Sequence, residues 1–90
     1  MKKIKNPKKA ELVKEVMHGT PHIYVGKNGI TETLILEIKT QLKRSRIIKI
    51  KFQRIIIEEH DIKELADEIT QKTKSKLIDL RGHNIIISKN

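Results

Sequence analysis

Apolar positions along this chain recur at two different spacings, and the changes between them mark its elements. Leu12, Val13, Val16 and Met17 lie three to four apart and predict an amphipathic helix. Asn6 caps it, and Pro7 takes the first helical position, where a missing N–H costs nothing. Gly19 suits the left-handed residue that closes a helix, and Pro21 prevents a restart. "HIYV" (22–25) then reads as a short strand. Thr31 caps a second helix, with Leu34, Ile35, Ile38 and Leu42 on one side and Lys39, Lys43 and Arg44 towards its polar side and C-terminal end. In "RIIKIKF" (46–52) the period drops to two: Ile48, Ile50 and Phe52 share one face, Lys49 and Lys51 the other, as in a half-buried strand. "QRIIIEEH" (53–60) fits either a continuation of that strand or a bulged connection.

Asp61 caps a third helix, and Glu64 three residues later completes a capping box. Its apolar face is Ile62, Leu65, Ala66 and Ile69, while Asp67 and Glu68 make it acidic. "KLIDLRG" and "HNIIIS" predict two closing strands about a turn at Gly82. The order is helix, strand, helix, strand, helix, strand, strand, without an internal repeat. This is an α/β (α+β) fold, one domain over residues 1–90 with a four-stranded mixed sheet, and residues 1–5 are expected to form a flexible basic arm.

Charge narrows what such a domain is for. The chain has 90 residues and a formal charge of +9. Residues 1–30 hold seven lysines against two glutamates, 31–60 hold seven basic against four acidic residues, and 61–90 hold six against five. The basic excess therefore sits towards the N-terminal end and points to a polyanionic partner. A thermophile's lysine-rich surface would instead match Lys with Glu, and here the acids fall short. The absence of cysteine excludes a disulfide framework and a thiolate metal site. No apolar run nears the roughly 18 residues of a membrane span, and the basic N-terminus lacks an apolar signal stretch, so a cytoplasmic location is expected.

"YVGKNGIT" (24–31) carries the candidate chemistry. Gly26 and Gly29 lie three apart, allowing a turn with positive φ and no Cβ between backbone and ligand. The turn opens onto a helix N-terminus, whose free N–H groups suit a phosphate. Lys27 adds charge at the tip, and Asn28 tolerates a left-handed conformation or donates a hydrogen bond. Glu32, one turn further on, opposes a phosphate unless it faces away. The bland alternative is a plain strand-to-helix turn. KH domains clamp a nucleic-acid backbone with the same loop type, but theirs joins two helices, whereas this one follows a strand.

Other chemistry is thin. Tyr24 and Phe52, the only aromatics, have apolar neighbours and are expected in the core. That disfavours base stacking and leaves backbone and shape recognition of folded RNA. His18 and His22 are four apart, but Gly19 and Pro21 break the helix that would align them, so they read as solvated or capping side chains. The acids of the third helix are spaced as an exposed face, and Ser45 and Ser75 have no base nearby. Neither an enzyme, a metal nor a cofactor is expected.

The stretch "HGTPHIYVGKNGITETLILEIKTQLKRSRIIKIKF", followed by a helix and "IDLRGHNIIISK", resembles the CRM domain. This chloroplast RNA splicing and ribosome maturation domain also occurs as a small stand-alone YhbY-like protein. The most specific match is Val25 to Glu32, an apolar residue, GxxG, an apolar residue and Thr-Glu. "IKIKF" matches the family's lysine-bearing second strand, and "GHNIII" its late glycine and strand. His83 stands where the family often has Lys or Arg, and Ser88 precedes Lys89 where it often has Tyr. The resemblance implies a fold like the C-terminal domain of bacterial translation initiation factor three. It also implies binding to structured RNA, with ribosomal RNA or a pre-ribosomal large-subunit particle as the expected partner of a monomer. The RNA-binding set is then Gly26, Lys27, Asn28, Gly29 and Thr31, with Lys9 and Lys14 as basic neighbours. Two other classes stay open: an Alba-like chromatin protein that binds duplex DNA, and a protein-interaction module using the acidic third helix and the edge strand at the C-terminus.

Overall fold

The computed structural model describes residues 9–90, with side chains described from Val13 onward. Asn6, Pro7 and the arm expected at residues 1–5 lie outside the described residues. The first helix, α1, spans Lys9–His18 and leads through Gly19 to strand β1, Ile23–Val25. Helix α2, Glu32–Ser45, begins where expected: the Thr31 hydroxyl oxygen accepts the Leu34 N–H at 3.1 Å. It ends at Arg46, whose φ of 63° turns the chain out of the helix and whose N–H reaches the Leu42 carbonyl. Strand β2 follows at Ile47–Phe52.

The ambiguous stretch after Phe52 is neither strand nor bulge. It forms a short helix, α3, Arg54–Glu59. Three consecutive isoleucines favour a strand by local preference, but β2 is already closed at this end. Phe52 N–H donates to the His83 carbonyl at 2.8 Å, and Gln53 N–H to the Val25 carbonyl at 2.8 Å. Turning helical puts Ile56 into the core at 2 % exposure and leaves Ile55 on the surface; tertiary packing overrides strand propensity here. Helix α4, Ile62–Thr73, starts with Asp61 as its cap, Oδ1 accepting the Lys63 N–H at 3.0 Å. Lys74 closes it in the left-handed conformation, at φ 54° and ψ 46°. Strands β3, Ser75–Arg81, and β4, Asn84–Lys89, form a hairpin about Gly82 and His83. Gly82 supplies the positive φ, 59°, that the first central residue of such a tight turn requires.

The four strands order as β1-β2-β4-β3, with β1 parallel to β2 and the other pairs antiparallel. The C-terminal strand is therefore interior, and the edges are β1 and β3. This corrects the expectation of a C-terminal edge strand: the β3–β4 hairpin folds back so that β4 can pair with β2.

The two faces of the sheet are covered differently. Ile23, Val25, Ile48, Ile50, Phe52, Ile85 and Ile87 point to one face and pack with Leu34, Ile38, Leu42, Ile56, Leu65, Ala66 and Ile69 from α2, α3 and α4. Ile47, Lys49, Lys51, Asn84 and Ile86 alternate onto the other face, against which α1 packs on β2 and β4. A side chain's fate on that second face depends on where α1 lies above it.

Candidate nucleic-acid interface

The glycine loop is a β-turn carried between β1 and α2. Gly29 N–H donates to the Gly26 carbonyl at 2.9 Å, leaving Lys27 and Asn28 exposed at the tip. The two glycines serve different ends. Gly29 adopts φ +72°, which a side chain resists, although a Cβ there would meet only Ile56 Cδ1 at an ordinary 3.6 Å. Gly26 has no positive φ; a Cβ there would lie 3.1 Å from the Gln53 Oε1. The left-handed role open to Asn28 is likewise unused. The buried Ile56 of α3 thus lies beneath Gly29, the exposed Gln53 side chain sits beside Gly26, and the loop's tip meets solvent.

Thr31 is joined to this loop by sequence, but its hydroxyl oxygen is engaged as the α2 cap. Glu32 is exposed and lines a shallow groove with Ile30, Ile35, Lys39 and Lys72, on the side of α2 that faces α4. Lys14 is exposed on α1, which packs on the opposite face of the sheet from α2. Lys9 opens α1, and its side chain is outside those described. Of the predicted residues, then, Gly26 to Gly29 and Thr31 come together; Lys14 lies on a different layer.

Two lysines of β2 have opposite roles that their shared spacing conceals. Lys49 is buried, at 9 % exposure, and its ammonium donates to the carbonyls of Met17 at 2.7 Å and Gly19 at 3.0 Å. It neutralises the C-terminal end of α1 and ties that helix to the sheet. His22 supports the same junction: its Nδ1 accepts the Lys49 backbone N–H at 3.0 Å, and its backbone N–H donates to the Lys49 carbonyl at 2.9 Å. Lys51, two residues on, is exposed.

Tyr24 corrects the sequence expectation outright. It is 55 % exposed, not core, because Ile23 and Val25 take the side of β1 that faces α2, α3 and α4, and Tyr24 alternates to the other. Phe52 is core, at 0 % exposure. Beside the loop, Arg54 and His83 join Lys51 and Gln53 around an open groove at this end of the sheet. Arg54 was not singled out from the sequence because "QRIII" fitted either a strand or a bulged connection, nor Tyr24 because its neighbours are apolar. The period-two alternation that placed Ile48 and Ile50 on one face was the signal that would have put Tyr24 on the face opposite Ile23 and Val25.

Among the described residues, Arg54, Lys63, Lys72 and Arg81 have carboxylates within ion-pair reach, all at the surface. Lys27 and Lys51 have none, so their charge is available to a partner. Lys39, Lys43, Lys74 and Lys89 gather at the other end of α2, near its C-terminus. No helix among the described residues is long and apolar enough to cross a membrane.

A strand–GxxG–helix junction with Lys27 at its tip thus stands on a four-stranded mixed sheet with helices on both sides, and its sequence places the chain among known proteins. A profile of the CRS1 / YhbY (CRM) domain matches residues 4–89, and the chain belongs to this family. It is 28 % identical over 86 residues to the probable RNA-binding protein MJ0652 of Methanocaldococcus jannaschii, covering 96 % of this chain and 63 % of that protein. It thus spans less than two thirds of that relative's length. It is also 28 % identical over 72 residues to the probable RNA-binding protein YqeI of Bacillus subtilis, covering 80 % of this chain and 73 % of that one. The fold matches the solution structure of the hypothetical protein SAV1595 from Staphylococcus aureus, put forward as an RNA-binding protein. That match has a TM-score of 0.72 and 28 % identity, over 90 % of this chain and 82 % of that one.

Proposed function

We propose that this protein binds structured RNA by placing the Gly26–Gly29 turn against the phosphate backbone, and that its target is ribosomal RNA in an assembling large subunit. The observation that carries the reading is the division of labour in the loop: the buried Ile56 lies beneath Gly29 and the Gln53 backbone N–H ties down the Val25 carbonyl, while Lys27 and Asn28 stand free. Such a turn brings backbone close to a ligand without Cβ atoms in the way. The N-terminal end of α2 adds its dipole, favouring an anion there. Lys27 supplies a full charge without a competing carboxylate among the described residues. The CRM family and the names of the relatives favour RNA over duplex DNA as the partner.

The double variant Lys27→Asp/Asn28→Asp tests this. It places two negative charges where phosphates are expected and leaves both glycines to form the turn. Each lost charge-assisted contact is worth roughly 1.5–3 kcal/mol, so affinity for a folded ribosomal RNA fragment should fall at least about tenfold, with an unchanged melting temperature. A folded variant that binds as well as the parent would reduce the loop to a connection. Immunoprecipitation after cross-linking in cells identifies the RNA, and recovery of messenger or transfer RNA alone would overturn the ribosomal assignment.

A further inference from the structure

We infer that the outer face of the sheet, next to the glycine loop, holds an unpaired nucleobase stacked on Tyr24, so that the preferred ligand is RNA with a single-stranded nucleotide beside the backbone segment the loop clamps. This rests on the RNA-binding reading above and gives that ligand a specific feature.

The backbone register lines up a row across all four strands. Tyr24 is the partner of Lys51, Lys51 of Asn84, and Asn84 of Arg81. Partners in register project to the same face of a sheet, and strands about 4.8 Å apart spread this row over roughly 14 Å. The order is thus aromatic, cation, amide, cation. Tyr24, Lys51 and Arg81 are exposed, and Asn84 is half-buried. The Oδ1 of Asn84 is buried and has no hydrogen-bond partner among the described residues. Arg81 meets Asp79 only at 3.5 Å, on the surface.

Position makes the row more than a set of exposed side chains. The row lies at the end of the sheet where β1 runs into the glycine loop, with one residue, Val25, between Tyr24 and Gly26. Further along the same face, Lys49 fastens the C-terminus of α1 to β2. A base is flat, carries a π-face and has polar edges. It fits a tyrosine ring with Lys51 beside it on the next strand, while its phosphate reaches Lys27. A fully paired helix keeps its bases stacked on one another and offers none to the ring.

The chain itself carries the probe. It has one tyrosine and no tryptophan, so its ultraviolet emission reports Tyr24 alone. The full chain is titrated at fixed salt with two RNAs of equal length, a hairpin with an unpaired loop and a fully paired duplex. Emission should be quenched by the hairpin and hardly changed by the duplex. Tyr24→Ala should weaken hairpin binding by roughly five- to 150-fold, the range for one lost base–aromatic stack, with duplex binding unchanged. Tyr24→Phe should restore hairpin affinity. Hairpin binding with unaltered emission, or with equal affinity for Tyr24→Ala, would overturn the stacking site and leave the RNA reading intact. Failure of the unmodified chain to bind either RNA would overturn both. Should Tyr24→Ala not fold by circular dichroism, the emission of the unmodified chain decides alone.

Discussion

At the scale of single residues, the two glycines of the loop look equivalent in sequence and are not equivalent in structure. Gly29 sits at φ +72° and tolerates a methyl group in space but not in backbone conformation. Gly29→Ala should cost about 1–2 kcal/mol, the penalty of a left-handed non-glycine residue, and lower the melting temperature measurably. Gly29→Val should cost more and damage binding as well. Gly26→Ala meets only the amide end of Gln53, an exposed side chain that can swing aside. That variant should fold with stability within about 0.5 kcal/mol of the parent, since its loss of unfolded-state freedom offsets the local adjustment. Equal destabilisation by both alanines, measured by thermal denaturation, would refute the division of roles. The same contrast separates Lys49 from Lys51: identical residues two apart, one buried as a helix cap and one exposed.

At the scale of elements, the Lys49 ammonium fastens the C-terminus of α1 to the sheet. Lys49→Met keeps the length of the stem and removes both bonds to the Met17 and Gly19 carbonyls. The loss should be about 2–3 kcal/mol, typical of hydrogen bonds to a charged donor. Amide exchange should rise first in residues 13–19, ahead of the rest of the fold; uniform acceleration over the whole chain would show that α1 is not a separate unit. At the end of α4, Lys74 accepts a left-handed conformation that costs a lysine about 1–2 kcal/mol, against an entropic cost of about 0.5–1 for glycine. Lys74→Gly should therefore raise the melting temperature by a few degrees, and Lys74→Ala should not.

At the scale of the whole molecule, charge decides how the protein meets its ligand. The formal charge is +9, and the ion pairs among the described residues consume only part of the basic surface. If about four to six phosphates are neutralised, the logarithm of affinity should fall linearly with the logarithm of salt, at a slope of roughly −3 to −5. An affinity that stays flat from low to physiological salt would exclude an electrostatic interface. Tyr24→Ala should leave this slope unchanged, because stacking releases no counterions, whereas the double Asp variant at the loop should flatten it.

How much of this was legible beforehand follows from what each signal depends on. Helix and strand periods, the caps at Thr31 and Asp61, the hairpin at Gly82 and the glycine loop are local properties: each is set by residues within a few positions, so the chain alone determined them. The family motif around Gly26 is local too. The fate of 53–60 was not, because three isoleucines fit a strand or a helix, and only the closed end of β2 and the space beneath Gly29 chose the helix. Nor was the place of β4, since register and strand order depend on partners far away in sequence. Tyr24 and Lys49 lie on the same face of the sheet, yet one emerges and the other is buried. The alternation of strands assigns both to that face; only the packing of α1 across it settles which of them meets water.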